Sequence, residues 1–244
     1  MQIPKKITPC PILEAIVEIR FEPEAPDDAI FGIIYNQFKK SFPEIEKLPI
    51  LQIPDQFRSK DPNLIYKPHY KLIKENYTVQ VGPRIFSLVN VKNYSGWDKF
   101  SQEIREVFEL LSKLQVIKEI KRLGLRYVNL FENFNIYEKS NLKLLLKDVA
   151  LIENPINLTT RIASTSNEFV NQLVMVNDAN VAVDNISYEG SLIDIDTNLE
   201  PFPESAKTNF NEFIDIVERA HEEEKKLFFS LLEDDYLKKL NPEY

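Results

Sequence analysis

Glycine is scarce in this chain: 5 in 244 residues, against 15 prolines. Phosphate-cradling loops need glycines at close spacing, and no G-x-G-x-x-G or Walker A pattern occurs. Cysteine is scarcer still. Cys10 stands alone, which excludes an intrachain disulfide and a cysteine-built zinc site. Its neighbours Pro9 and Pro11 supply no base, so it reads as a small apolar residue and not as a nucleophile. There are two histidines, His69 and His221. Neither has a cysteine or second histidine nearby, so a Ser-His-Asp triad or a zinc site would need long-range assembly around one of them. His69 follows Pro68 in a strand, and His221 is placed on the polar side of the last helix. H-E-x-x-H and G-x-S-x-G are absent. No apolar run approaches ~18 residues and none opens the chain, so neither a membrane span nor a leader is expected. A cytoplasmic location is the simplest expectation. An excess of positive charge is also missing: the net charge is −8. That balance disfavours nucleic acid and anionic membrane surfaces as partners.

What is present is apolar patterning. Hydrophobic residues make up 43% and aromatics 11%, enough for a large core. The stretch from Tyr94 to Asn129 organises the rest. Trp97, Phe100, Ile104, Val107, Phe108, Leu111 and Leu114 recur at helical spacing. Leu123, Leu125 and Tyr127 then alternate with Arg122, Gly124, Arg126 and Val128 as in a strand. Earlier, Ile12 to Phe21 alternates, with Leu13, Ala15, Val17, Ile19 and Phe21 on one face and Glu14, Ile16, Glu18 and Arg20 on the other. A helix is expected from Asp27 or Asp28 to Phe42, stopped by Pro43. Strands are expected over 50–57, 63–72, 77–81 and 84–91, broken at Asp61-Pro62, Glu75-Asn76 and Gly82-Pro83.

In the second half, Ser140 is expected to cap a short helix carrying Leu142, Leu145, Leu146 and Val149. Strands follow over 156–164, 168–176, 181–188 and 191–197, with turn signals at Asn177-Asp178 and Glu189-Gly190. A long helix runs from about Glu204 to Leu232, with the stripe Phe210, Phe213, Ile214, Val217, Ala220, Glu224, Leu227, Phe228 and Leu231. The implied fold is α+β, an antiparallel sheet or sheets covered on one face by amphipathic helices. Both halves, 1–129 and 130–244, carry a late amphipathic helix with early aromatics, which hints at two similar halves within one integrated unit. No residue-level repeat supports duplication.

Pro11-Ile12-Leu13-Glu14-Ala15 leading into Glu18-Ile19-Arg20-Phe21, Trp97 opening a helix, and Gly124-Leu125-Arg126-Tyr127-Val128-Asn129 together resemble a sporadically distributed, uncharacterised prokaryotic protein family. The match spans nearly the whole chain. That family carries no established activity, and the resemblance supplies no catalytic residue. Its patchy distribution implies mobile or defence-associated genes.

Two clusters can carry chemistry. Asp194 and Asp196 in Ile193-Asp194-Ile195-Asp196 share one strand face and can both ligate magnesium, with Asp184 and Glu189 able to add oxygens. The bland account is the wet face of a strand whose Ile193 and Ile195 point inward. Arg20, Arg126 and Arg84, with Arg122 and Arg161, can converge on a phosphate-bearing ligand or nucleotide. The bland account is pairing with strand carboxylates such as Glu14 and Glu18. No cofactor is implied. The chain reads more as a non-catalytic binding or regulatory module than as an enzyme, engaging another protein or a second copy of itself, within a defence or toxin-control system. A nucleotide sensor built on the arginines is the alternative, followed by a magnesium enzyme built on the aspartates. Phe228, Phe229 and Leu232 widen the last helix's stripe, as at a dimer contact or at a capped core.

Overall fold

The computed structural model describes residues 2–91, 93–164, 166–183 and 186–244, and omits the side chains of 183, 186, 207 and 208. The fold is α+β. One antiparallel sheet carries nine strands: β1 (Ile12–Pro23), β2 (Glu44–Lys47), β3 (Tyr70–Lys74), β4 (Tyr77–Gly82), β5 (Ile85–Val91), β6 (Ile117–Glu132), β9 (Asn157–Ala163), β10 (Val170–Val183) and β11 (Ile186–Leu199). Their order is β2-β3-β4-β5-β1-β6-β11-β10-β9. A separate two-stranded hairpin joins β7 (Leu145–Leu146) to β8 (Val149–Ala150). The helices are α1 (Asp27–Phe38), α2 (Asp55–Arg58), α3 (Trp97–Ser112), α4 (Glu204–Thr208), α5 (Phe210–Leu231) and α6 (Asp234–Lys239).

Two compact units emerge, each assembled from separate stretches of chain. One comprises 1–14, 126–198 and 219–244; the other comprises 15–125 and 199–218. In the second unit, β1 buries Ala15, Val17, Ile19 and Phe21 as its alternation demands. Ile30, Ile34 and Phe38 of α1 are buried, as are Phe100, Ile104, Val107, Phe108 and Leu111 of α3. Phe86 of β5 ties the two helices to the sheet: its ring centroid lies 5.7 Å from Phe38 and 5.4 Å from Phe108. Helix α1 begins after Pro26, with Asp27 and Asp28 in its first turn, where carboxylates favour the exposed N–H groups. It ends at Phe38, short of the expected Phe42, although Phe42 itself is buried.

The stretch between Leu48 and Tyr70 departs from expectation. A 3-10 turn at Pro49–Gln52 and the four-residue α2 replace the strand expected over 50–57. Pro49 and Pro54 cannot donate to a ladder, and each opens a helical turn instead. The strand expected from residue 63 starts only at Tyr70.

In the first unit, the apolar core gathers Phe131, Ile136, Tyr137, Leu173, Met175, Ile193, Ile195, the late α5 residues Phe228, Phe229 and Leu231, and Leu232 just beyond the helix. So Phe228, Phe229 and Leu232 belong to the core of their own chain. Strands β10 and β11 pair from Val170↔Asn198 to Val183↔Ile186, with a bulge between Val176 and Ala179. The Asn177-Asp178 turn signal is therefore a bulge inside one long strand. The Asn177 side chain explains it: Oδ1 accepts from Ile156 N at 2.7 Å, and Nδ2 donates to Asn154 O at 3.0 Å and Ile152 O at 3.3 Å. Likewise Glu189-Gly190 lies within β11. The helix expected after Ser140 does not form. A 3-10 turn at Ile136–Lys139 precedes it, and the β7–β8 hairpin takes its place. Among the described residues, no helix is long and apolar enough to cross a membrane.

Candidate functional site

In the second unit, the polar face of β1 gathers arginines onto carboxylates. Arg20 Nε donates to Glu18 Oε1 at 3.0 Å, and an Arg122 guanidinium nitrogen donates to the same oxygen at 3.2 Å. The Arg20 guanidinium also sits 5.3 Å from the centre of the Tyr66 ring, within cation–π range. Arg84 bonds Glu22, and its Nε reaches Asp27 at 3.4 Å. Arg58 approaches His69 Nδ1 at 3.3 Å and Asp55 at 3.5 Å. Burial first, and the Arg58 charge second, push the His69 pKa down to about 4, with Asp55 and Asp27 opposing. His69 is thus a neutral acceptor at neutral pH.

In the first unit, Arg126 meets Asp194 in a two-pronged pair. Nε donates to Oδ1 at 2.7 Å and a terminal nitrogen donates to Oδ2 at 2.6 Å. The Arg126 pKa is raised by that bond, against burial, with Asp194, Asp196 and Glu14 adding attraction. This parallel geometry is the strong form of the contact. The residue expected to bind an anion and the residue expected to bind magnesium thus hold each other. Asp196 lies in the same electrostatic neighbourhood. Asp184 lies outside the described residues. Glu189 contributes its backbone carbonyl to Asn133 N at 2.9 Å. Arg161 is exposed on β9. Among the described residues, no group of three or more His, Cys, Asp or Glu side chains is placed to hold a metal ion.

His221 is not on a polar helix face. It is 7% exposed, and its Nδ1 lies 3.2 Å from the Tyr127 hydroxyl. Its position was readable: His221 stands four residues after Val217 and three before Glu224, on the stripe itself. Burial, then Lys225, lowers its pKa to about 3. Glu224 is 4% exposed, and burial raises its carboxyl to about 8, so it is mainly protonated at neutral pH. Cys10 is exposed, with its thiol pKa raised rather than lowered, so it is not an activated nucleophile.

The feature that the sequence did not single out is the β7–β8 hairpin. Leu145, Leu146 and Val149 are expected on the short helix after Ser140. They are instead 60%, 66% and 66% exposed. Lys147 adopts φ 53°, turning the chain between the two short strands. Leu151 N then bonds Leu144 O at 3.0 Å, closing the hairpin.

No protein-family model matches the chain, and no curated protein matches it either.

Proposed function

We propose that the protein is a non-catalytic binding or regulatory module that engages another protein, and that the β7–β8 hairpin is a contact surface. The observation that carries this reading is the exposure of Leu145, Leu146 and Val149 together on one small hairpin. Large apolar side chains gathered in water are costly unless a partner covers them. A two-stranded hairpin alone is also barely stable, so docking would consolidate it. The arginine geometry supports the same reading. Each of Arg20, Arg84 and Arg126 is already engaged by a carboxylate, and Asp194 is held by Arg126. An anion or a magnesium ion would have to break those pairs first. The defence or toxin-control setting belongs to this proposal through the resemblance of the two motif stretches.

The test is affinity capture from the native host with two baits, the wild-type chain and Leu146→Asp/Val149→Asp. Both positions are exposed, so both baits should melt at closely similar temperatures. A protein retained by the wild type and lost with the variant is the expected outcome. Equal retention by both baits would sink the hairpin as the contact.

A further inference from the structure

The two ends of the sheet are built differently. At one end, β2 is four residues long, wholly exposed, and reads Glu-Ile-Glu-Lys. Short charged edges of this kind repel further strands. At the other end, β9 is seven residues long, Asn-Leu-Thr-Thr-Arg-Ile-Ala, with Arg161 as its single charge. It pairs with β10 along its whole length, from Val176↔Asn157 to Val170↔Ala163.

Its outward backbone can be read from the bonds just beyond the strand. Ser164 N donates to Phe169 O at 2.9 Å, and Ile156 O accepts from Asn177 N at 3.3 Å. Even-numbered positions therefore bond β10. Antiparallel ladders alternate, so Asn157, Thr159, Arg161 and Ala163 turn their N–H and C=O groups outward. Among the described residues, no backbone hydrogen bond reaches those four.

We propose that β9 pairs antiparallel with β9 of a second copy of this chain, about a two-fold axis at Thr160. This deepens the protein-binding reading, on which it rests, by naming one partner. The sequence of β9 is self-complementary in that register. Leu158 faces Ile162 of the second copy, Thr159 faces Arg161, Asn157 faces Ala163, and Thr160 faces Thr160. No like charges meet, and the apolar pairs fall at the closely spaced, non-hydrogen-bonded positions. Leu158 and Ile162 are only half-buried, so they still have surface to cover. The four outward residues of each strand exchange two hydrogen bonds per facing pair. The contact is isologous, so it closes at a dimer.

The test is sedimentation of the full chain over a wide concentration range, with two variants. Twice the 28.5 kDa chain mass is expected for the wild type. Arg161→Pro removes an outward N–H and no β10 bond, so it should fold and dimerise at least tenfold more weakly. Thr160→Cys, in a Cys10→Ser background, should form an interchain disulfide under mild oxidation. Facing residues at such a site lie about 4.5 Å apart at Cα, within disulfide reach. A monomeric wild type overturns the proposal, as does a dimer that Arg161→Pro leaves intact or a Thr160→Cys chain that does not cross-link. The Leu146→Asp/Val149→Asp chain should remain dimeric. Should it lose the dimer while Arg161→Pro keeps it, the hairpin is the self-contact and β9 is not.

Discussion

At the scale of single residues, the polar groups of the fold differ in how well they are matched. Arg126 and Asp194 satisfy each other with two short bonds. Ser191 accepts from Ile136 N at 3.0 Å and donates to Phe134 O at 2.6 Å. Tyr137 donates its hydroxyl to Met175 O at 2.9 Å, and burial pushes its pKa up to about 12. Asn90 contrasts with all of these. It is 1% exposed on β5, and among the described residues neither its Oδ1 nor its Nδ2 has a partner. A buried polar group left unpaired costs about 1–3 kcal/mol, whereas an apolar group of similar shape costs nothing of that kind. Asn90→Leu should therefore stabilise the protein by about that amount. Urea unfolding checks it: the midpoint should rise at constant slope. A lower midpoint would show that the amide makes a bond worth more than its burial.

At the scale of elements, the sheet was legible wherever one face is buried and the other wet. β1 is the plain case, because Val17, Ile19 and Phe21 alternate with Glu18 and Arg20 and the period of two leaves no second reading. The helices α3 and α5 were legible from their stripes, although the single helix expected from Glu204 breaks at Asn209 into α4 and α5. What failed were local signals that tertiary contacts override. Asn177 reads as a turn residue, yet its side chain ties 152–156 to a bulge. Leu145, Leu146 and Val149 read as the apolar side of a short helix, and hydrophobicity does not say whether a neighbour exists to cover it. The arginines were legible as candidates, but their carboxylate partners were not: Asp194 lies 68 positions from Arg126. Gly190 is the sharpest case. It reads as half of a turn, but it is an extended strand position facing Ala179. A Cβ there would collide with the Phe131 carbonyl oxygen and lie 3.0 Å from Glu132 Cα. Backbone cannot swing aside as a side chain can. Gly190→Ala should cost about 1–3 kcal/mol or more, from overpacking between β6 and β11. Thermal unfolding measures it, and an unchanged melting temperature would mean that the two strands separate freely there.

At the scale of the whole molecule, three buried titratable groups set how stability follows pH. His221 and His69 have pKa values lowered from 6.5, to about 3 and about 4. Both remain neutral in the fold while the unfolded chain takes up protons below 6.5, so stability falls as pH falls from 6.5 through 4 and 3. Glu224 works in the opposite sense. Its pKa is raised from 4.5 to about 8, so the unfolded chain releases a proton that the fold retains. Its contribution is complete below 4.5 and is lost as pH rises through 8. Between 4.5 and 6.5 two histidines act against one carboxyl and stability climbs with pH. From 6.5 to 8 the carboxyl acts alone and stability declines. Each group contributes a slope of up to about 1.4 kcal/mol per pH unit. The expected curve peaks near pH 6.5, set by the ordinary histidine pKa in the unfolded chain. Glu224→Gln keeps the shape and a neutral head, so it should flatten the alkaline side between 6.5 and 8 while leaving the acid side to the histidines. Denaturant unfolding at a series of pH values from 4 to 9 tests both limbs. An alkaline decline that survives in Glu224→Gln would assign it to another group and would mean that the Glu224 carboxyl reaches water in the folded protein.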